Sequence, residues 1–142
     1  DQAILLPENL RVALKNIISN AFAYSPPGTS VVVTCTATDG SLSITVDDDG
    51  PGIDSEEEQH LYQWFKRGRS HTTVGAQRGL GLGLPLAKLA AETMMGMLWH
   101  ERRFPRGTRF VLDVPYGHEV TTAGDESARP LHLSNGQQVA VQ

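Results

Sequence analysis

Thr34-Cys35-Thr36-Ala37-Thr38-Asp39-Gly40-Ser41-Leu42-Ser43-Ile44-Thr45-Val46 consists of two β-branched, alternating runs joined by a two-residue break. Asp39-Gly40 suits a type I′ turn, whose central residues both need positive φ and whose twist matches that of paired antiparallel strands. The runs extend over residues 30–38 and 41–46; in the second, Leu42, Ile44 and Val46 face one way and Ser43, Thr45 and Asp47 the other. The pattern predicts a hairpin with one covered face.

The elements on either side supply the cover. Upstream, Leu10, Ala13, Leu14, Ile17 and Ala21 recur at helical spacing, with Pro7 and Glu8 suited to a first turn, and Pro26-Pro27-Gly28 ends the pattern. A helix is predicted over 7–22. Downstream, Asp49-Gly50-Pro51-Gly52 breaks the chain, and Ser55 and Glu58 have capping-box spacing at the start of a short helix. Residues 66–78 carry no apolar period and read as a long loop. A helix is expected over 84–95, with Pro85 in its first turn, and then strands over 97–103 and 108–114 around Phe104-Pro105-Arg106-Gly107. Paired strands separated by helices predict an α+β fold: a two-layer α/β sandwich with helices on one face of a mixed, mainly antiparallel sheet. Residues 1–116 form the predicted domain, and 117–142 a polar, loosely ordered tail.

The chain has 142 residues, enough for one core, with 12 Lys and Arg against 16 Asp and Glu for a net charge of −4. That balance argues against nucleic acid as a partner. A single cysteine, Cys35, excludes an intrachain disulfide framework; mid-strand, it is expected to be a buried small apolar residue, and a reducing compartment fits best. No apolar run approaches the roughly 20 residues of a membrane helix, so no membrane contact is expected of this segment. The opening Asp1-Gln2-Ala3 has neither signal-peptide character nor an initiator methionine, which suggests a piece of a longer protein.

Four separated elements could carry chemistry. Asn16 and Asn20, four residues apart, project from one helix face, where two amide oxygens can address one hydrated cation. Asp48-Asp49-Gly50-Pro51-Gly52-Ile53 would let a carboxylate meet a flat polar ligand at close backbone approach. Gly79-Leu80-Gly81-Leu82-Gly83-Leu84 leads into a helix N-terminus, a setting that suits phosphate oxygens. Gly107-Thr108 adds a hydroxyl beside the last strand. Taken singly, the asparagines read as a solvated pair, Asp48 as a turn aspartate, the glycines as a linker, and Arg67, Arg69 and Arg78 as a solvated basic loop.

In this order the elements resemble the ATP-binding catalytic domain of sensor histidine kinases, within the superfamily of gyrase-type, chaperone and mismatch-repair ATPases with the Bergerat-type fold. The resemblance spans residues 4–115. Asn16-Ile17-Ile18-Ser19-Asn20-Ala21 is similar to the N box and Asp48 to Ile53 to the first glycine box. Residues 61–67 are similar to the F box, Gly79 to Leu84 to the second glycine box, and Arg106-Gly107-Thr108 to the third.

The resemblance implies a two-component histidine kinase module that binds ATP and Mg²⁺. Asn20 would ligand the metal with Asn16 in support, and Asn16, Asn20 and Arg67 would be the catalytic residues. Asp48 would accept the adenine amine, with Thr108 nearby through water. Tyr24, Gly50, Gly52, Ile53, Arg67, Gly79, Gly81, Leu82, Gly83 and Leu84 would complete the ATP site. Residues 66–78 would be the ATP lid. The implied partners are a dimerisation and histidine phosphoacceptor domain of the parent kinase and a response regulator. The implied location is the cytoplasm, as the cytoplasmic part of an inner-membrane sensor. A hydrolytic ATPase of the superfamily would carry a glutamate where Asn16 stands, and a non-catalytic nucleotide- or partner-binding regulator is the other alternative.

Two departures stand out. Ala23 occupies a position where the family has a basic residue, and Met95-Gly96 one where two glycines are common. Trp64 and Phe65 are expected to pack in the core, and Met94, Met95 and Met97 to form a packed helix end. His118 reads as a tail residue rather than a phosphoacceptor.

Overall fold

A computed structural model describes residues 6–38, 40–63 and 83–115 and the backbone of 129–134. In chain order the elements are α1 (Pro7–Tyr24), β1 (Ser30–Thr38), β2 (Ser41–Asp47), α2 (Ser55–Glu58), α3 (Gly83–Thr93), β3 (Met97–Arg102), β4 (Thr108–Pro115) and β5 (Arg129–Ser134). The sheet order is β3-β4-β2-β1-β5, and all four pairings are antiparallel, so the sheet contains no parallel pair among the described residues.

α1 starts with Pro7 in its first turn, where the missing N–H costs nothing, and stops at Tyr24 because Pro26 drives Ser25 into extended backbone, with ψ at 136°. The predicted hairpin forms with Thr38 opposite Ser41, and Gly40 takes a φ of 80°. Register then does the sorting. Ile44 pairs with Leu112 and Leu112 with Leu98, while Val46 pairs with Phe110. Neighbours across a sheet point to the same face, so these side chains form one apolar surface.

On that surface lie Ala13, Ile17 and Ala21 of α1 and Leu84, Ala87, Ala90 and Ala91 of α3, all buried. The two helices also pack on each other. The reverse face of the sheet carries polar pairs: Arg109 donates to both carboxylate oxygens of Asp47, at 2.7 and 2.8 Å, and the Ser41 hydroxyl donates to Asp113 at 2.7 Å. The two-layer sandwich with helices on one face is therefore observed, with all pairings antiparallel. Among the described residues no helix is long and apolar enough to cross a membrane.

Several local expectations change. Asp54, not Ser55, caps α2, its carboxylate accepting the Glu57 N–H at 2.7 Å; either residue type can cap, and the chain supplies both. Cys35 is exposed, because the helices cover only the first part of β1. Met94 is 1% exposed, but Met95 and Met97 are 64% and 66% exposed and pack no helix end. Within the stretch read as a tail, 129–134 forms β5 by pairing with the free edge of β1, from Ser30 opposite Ser134 to Cys35 opposite Arg129. The readings of Trp64, Phe65, His118 and the loop at 66–78 lie outside the described residues.

Candidate functional site

Three contacts bring the sequence elements together. Asn16 Oδ1 lies 3.4 Å from where a Cβ on Gly83 would stand, so the middle of α1 meets the first turn of α3. A Cβ on Gly50 would come 2.7 Å from the Tyr24 carbonyl oxygen, so the Asp48–Ile53 loop lies against the end of α1 and only glycine fits there. A Cβ on Gly107 would overlap the Asp48 carbonyl oxygen, and Gly107 holds a φ of 102°, a backbone that favours glycine.

Asp48 stands at the centre of this arrangement. It follows β2 directly and is 1% exposed, which is unusual for a carboxylate. Its N–H donates to the Thr108 carbonyl at 2.9 Å, and its Oδ1 accepts the N–H groups of Gly50 at 2.9 Å and Thr108 at 3.3 Å. Both donors fall on Oδ1, which leaves Oδ2 to accept from a ligand. Burial pushes the carboxyl above its ordinary range; the two N–H groups and the Arg103 charge pull it back, and Asp49 pushes it up. Thr108 itself is buried and holds Asp48 through its backbone.

Arg103 is a member of this site that the sequence reading missed. Its Nη1 donates to the Asp48 carbonyl and to Asp49 Oδ1 at 3.1 Å, bracing the loop from the β3–β4 turn. No local signal distinguishes it from Arg102 or Arg106. A cavity of about 510 Å³ opens beside the brace, lined by Gly52, Ile53 and Gly107 together with Arg102, Arg106 and Phe104. None of its lining residues comes from α1 or α3.

On the α1 side, Asn16 and Asn20 are both partly buried. Asn16 Nδ2 donates back to the Val12 carbonyl at 2.8 Å, which turns its Oδ1 toward the start of α3. Amide oxygens are hard donors of the kind Mg²⁺ accepts alongside phosphate oxygens and water, so the donor set fits that metal. Among the described residues no group of three or more His, Cys, Asp or Glu side chains forms a metal cluster.

Of the other residues singled out in the sequence, Tyr24 ends α1, Gly52 and Ile53 follow Asp48, and Gly83 opens α3. Leu84 is 7% exposed and belongs to the apolar core. Arg67, Gly79, Gly81 and Leu82 lie outside the described residues.

Comparison with known proteins follows the same lines. Residues 6–118 match the family described as histidine kinase-, DNA gyrase B-, and HSP90-like ATPase. The sensor-like histidine kinase SenX3 of Mycolicibacterium smegmatis is 33% identical over 127 residues, which cover 87% of this chain and 32% of that protein. The chain thus spans about a third of the length of this curated relative. Among solved structures, the mycobacterial sensor histidine kinase MprB aligns with a TM-score of 0.63 at 29% identity, over 76% of this chain and 70% of that one. Full-length ShkA, solved in complex with AMPPNP, aligns with a TM-score of 0.64 at 26% identity, over 82% of this chain and 23% of that one.

Proposed function

The chain belongs to the histidine kinase-, DNA gyrase B-, and HSP90-like ATPase family, and from that premise we propose that it is the Mg-ATP-binding catalytic domain of a two-component sensor histidine kinase. It passes the γ-phosphate to a histidine on a separate dimerisation and phosphoacceptor domain, for relay to a response regulator. It works in the cytoplasm, as the cytoplasmic part of a longer sensor protein. The observation that carries this reading is Asp48: a carboxylate 1% exposed, fixed by two N–H groups on one oxygen, with the other left to accept an exocyclic amine.

An acceptor at that point takes the adenine amine and rejects the guanine carbonyl, so Asp48 selects the base. Gly50 and Gly52 allow the loop to approach the ring closely, and Ile53 and Tyr24 flank it. Asn20, with Asn16 beside it, would hold Mg²⁺ through amide oxygens. When bound, the metal supplies neutralisation of charge on the phosphate oxygens. The first turn of α3 at Gly83 presents N–H groups toward anionic oxygens; by the family resemblance Gly79, Gly81 and Arg67 would also serve the phosphates. Phosphoryl transfer needs mainly positioning and charge neutralisation, and the nucleophile is the acceptor's imidazole.

Asn16 disfavours hydrolysis, since a neutral amide cannot take a proton from water as a carboxylate would. Ala23 favours the non-catalytic regulator as the second reading, since it removes one cation from the phosphate side. Mixing the chain with Mg-ATP and a segment carrying the acceptor histidine tests both. Transfer of labelled γ-phosphate to that histidine is expected; nucleotide binding without transfer favours the regulator, and steady phosphate release favours hydrolysis.

A further inference from the structure

His100 occupies a position on β3 whose register is apolar. Leu98 shares its face and is 8% exposed, and His100 stands opposite Phe110, which is 1% exposed. The imidazole nevertheless reaches two polar partners: Nε2 lies 2.7 Å from Glu58 Oε1, and Nδ1 lies 3.0 Å from the Tyr62 hydroxyl. A carboxylate only accepts, so Nε2 carries the proton toward Glu58, an arrangement that presents Nδ1 to the Tyr62 hydroxyl as its acceptor. Burial and the nearby Glu58 charge push the Tyr62 hydroxyl well above its ordinary range, which keeps it a donor.

Tyr62 also meets α3. Lys88 Nζ stands 5.1 Å from the centroid of its ring, while the His100 ring centroid lies 5.8 Å away on the β3 side. One aromatic side chain therefore connects β3, the segment after α2, and the helix whose first turn faces Asn16. A leucine at position 100 would suit the apolar register without needing hydrogen-bond partners, but it would leave Tyr62 without its acceptor. Hydrogen-bonded chains in a partly buried setting hold orientation more sharply than apolar contact does.

We propose that His100 is a positioning residue for the phosphate side of the nucleotide site, acting through Tyr62 and Lys88 to set α3 against β3. The inference rests on the nucleotide-binding reading above. It separates the two ends of the ligand: Asp48 and its loop read the base, and the His100 chain sets the element that meets the phosphates.

The test compares Mg-ATP and adenosine affinities by calorimetry, alongside thermal unfolding, in wild type, His100→Leu, His100→Gln, Tyr62→Phe and the double variant that combines His100→Leu with Tyr62→Phe. His100→Leu is expected to weaken Mg-ATP binding roughly threefold to tenfold, the worth of one or two hydrogen bonds, while leaving adenosine affinity unchanged. Tyr62→Phe gives the same selective loss, the double variant loses no more than either single one, and His100→Gln recovers most of the affinity. A purely structural role moves the unfolding midpoint without moving the ratio of the two affinities. An unchanged ratio in folded His100→Leu overturns the proposal. If that variant does not fold, Tyr62→Phe, which removes one oxygen atom, decides in its place. A wild type that binds both ligands with an unmoved ratio in the variants refutes the role of His100 alone. A wild type that binds neither ligand refutes the nucleotide site and this inference with it.

Discussion

Asp48 and Thr108, 60 positions apart, hold each other twice: the Asp48 N–H donates to the Thr108 carbonyl at 2.9 Å, and the Thr108 N–H donates to Asp48 Oδ1 at 3.3 Å. This reciprocal clamp fixes a buried carboxylate at the junction of β2 and β4. Its energetic consequence can be tested apart from any ligand. Burial raises the carboxyl above its unfolded value, so the folded chain binds that proton more tightly than the unfolded chain does. The associated stability is fully present below the ordinary carboxylate range, near about 3.9, and is lost as pH rises through the higher folded value. At neutral pH the ionised group is therefore a net burden. Asp48→Asn keeps an acceptor for both N–H groups and removes the charge. Thermal unfolding should show an unfolding midpoint at pH 7 equal to or above wild type, with the gap closing toward pH 4. A large drop at pH 7 would contradict this electrostatic account.

Gly107 is predicted to be irreplaceable. Gly107→Ala combines a φ of 102° with a Cβ on the Asp48 carbonyl, and should cost about 3 kcal/mol in urea unfolding. Gly28→Ala is the control. Its φ is 83° but a Cβ there meets nothing within 4 Å, so its cost should be about 1 kcal/mol.

Met95 carries strain that a glycine would relieve. It holds a φ of 60° in the turn from α3 to β3 and is 64% exposed, so its side chain contributes little packing. Met95→Gly should leave stability unchanged or raise it by about 1 kcal/mol. The neighbouring Gly96→Ala should destabilise, since its Cβ would stand 2.6 Å from Val114 Cγ1. Paired denaturation curves check both.

Asn20 should couple nucleotide to metal. In Asn20→Ala, Mg²⁺ should no longer strengthen ATP binding, a loss of roughly tenfold or more, while adenosine affinity stays at the wild-type value. An undiminished Mg²⁺ effect would move the metal site elsewhere.

The hairpin was readable because two local signals agree: the alternation of Leu42, Ile44 and Val46, and the Asp39-Gly40 turn. Strand register then carried that alternation across to Phe110, Leu112 and Val114. The boundary of α1 was readable because two prolines leave the chain little choice. β5 was not, because pairing with an open strand edge uses backbone groups that every residue has, and residues 129–134 sit in a polar stretch. Cys35 was misjudged because alternation tells which face a residue takes, and not how far the helices extend over it. At the candidate site, Asp48 was visible through the glycines that follow it. Arg103 was not, since it reaches back 55 positions and its neighbours are arginines too. His100 was not visible either, since Glu58 and Tyr62 lie 42 and 38 positions back and nothing local marks the imidazole as their partner.

The central claim is that Asp48 reads adenine in a Mg-ATP site. Titrating the 142-residue chain with ATP, with and without Mg²⁺, in wild type and Asp48→Asn tests it most directly. Binding that Mg²⁺ strengthens in wild type and that collapses in a folded Asp48→Asn variant is the predicted result. Equal ATP affinity in the two proteins, or none in wild type, would contradict it.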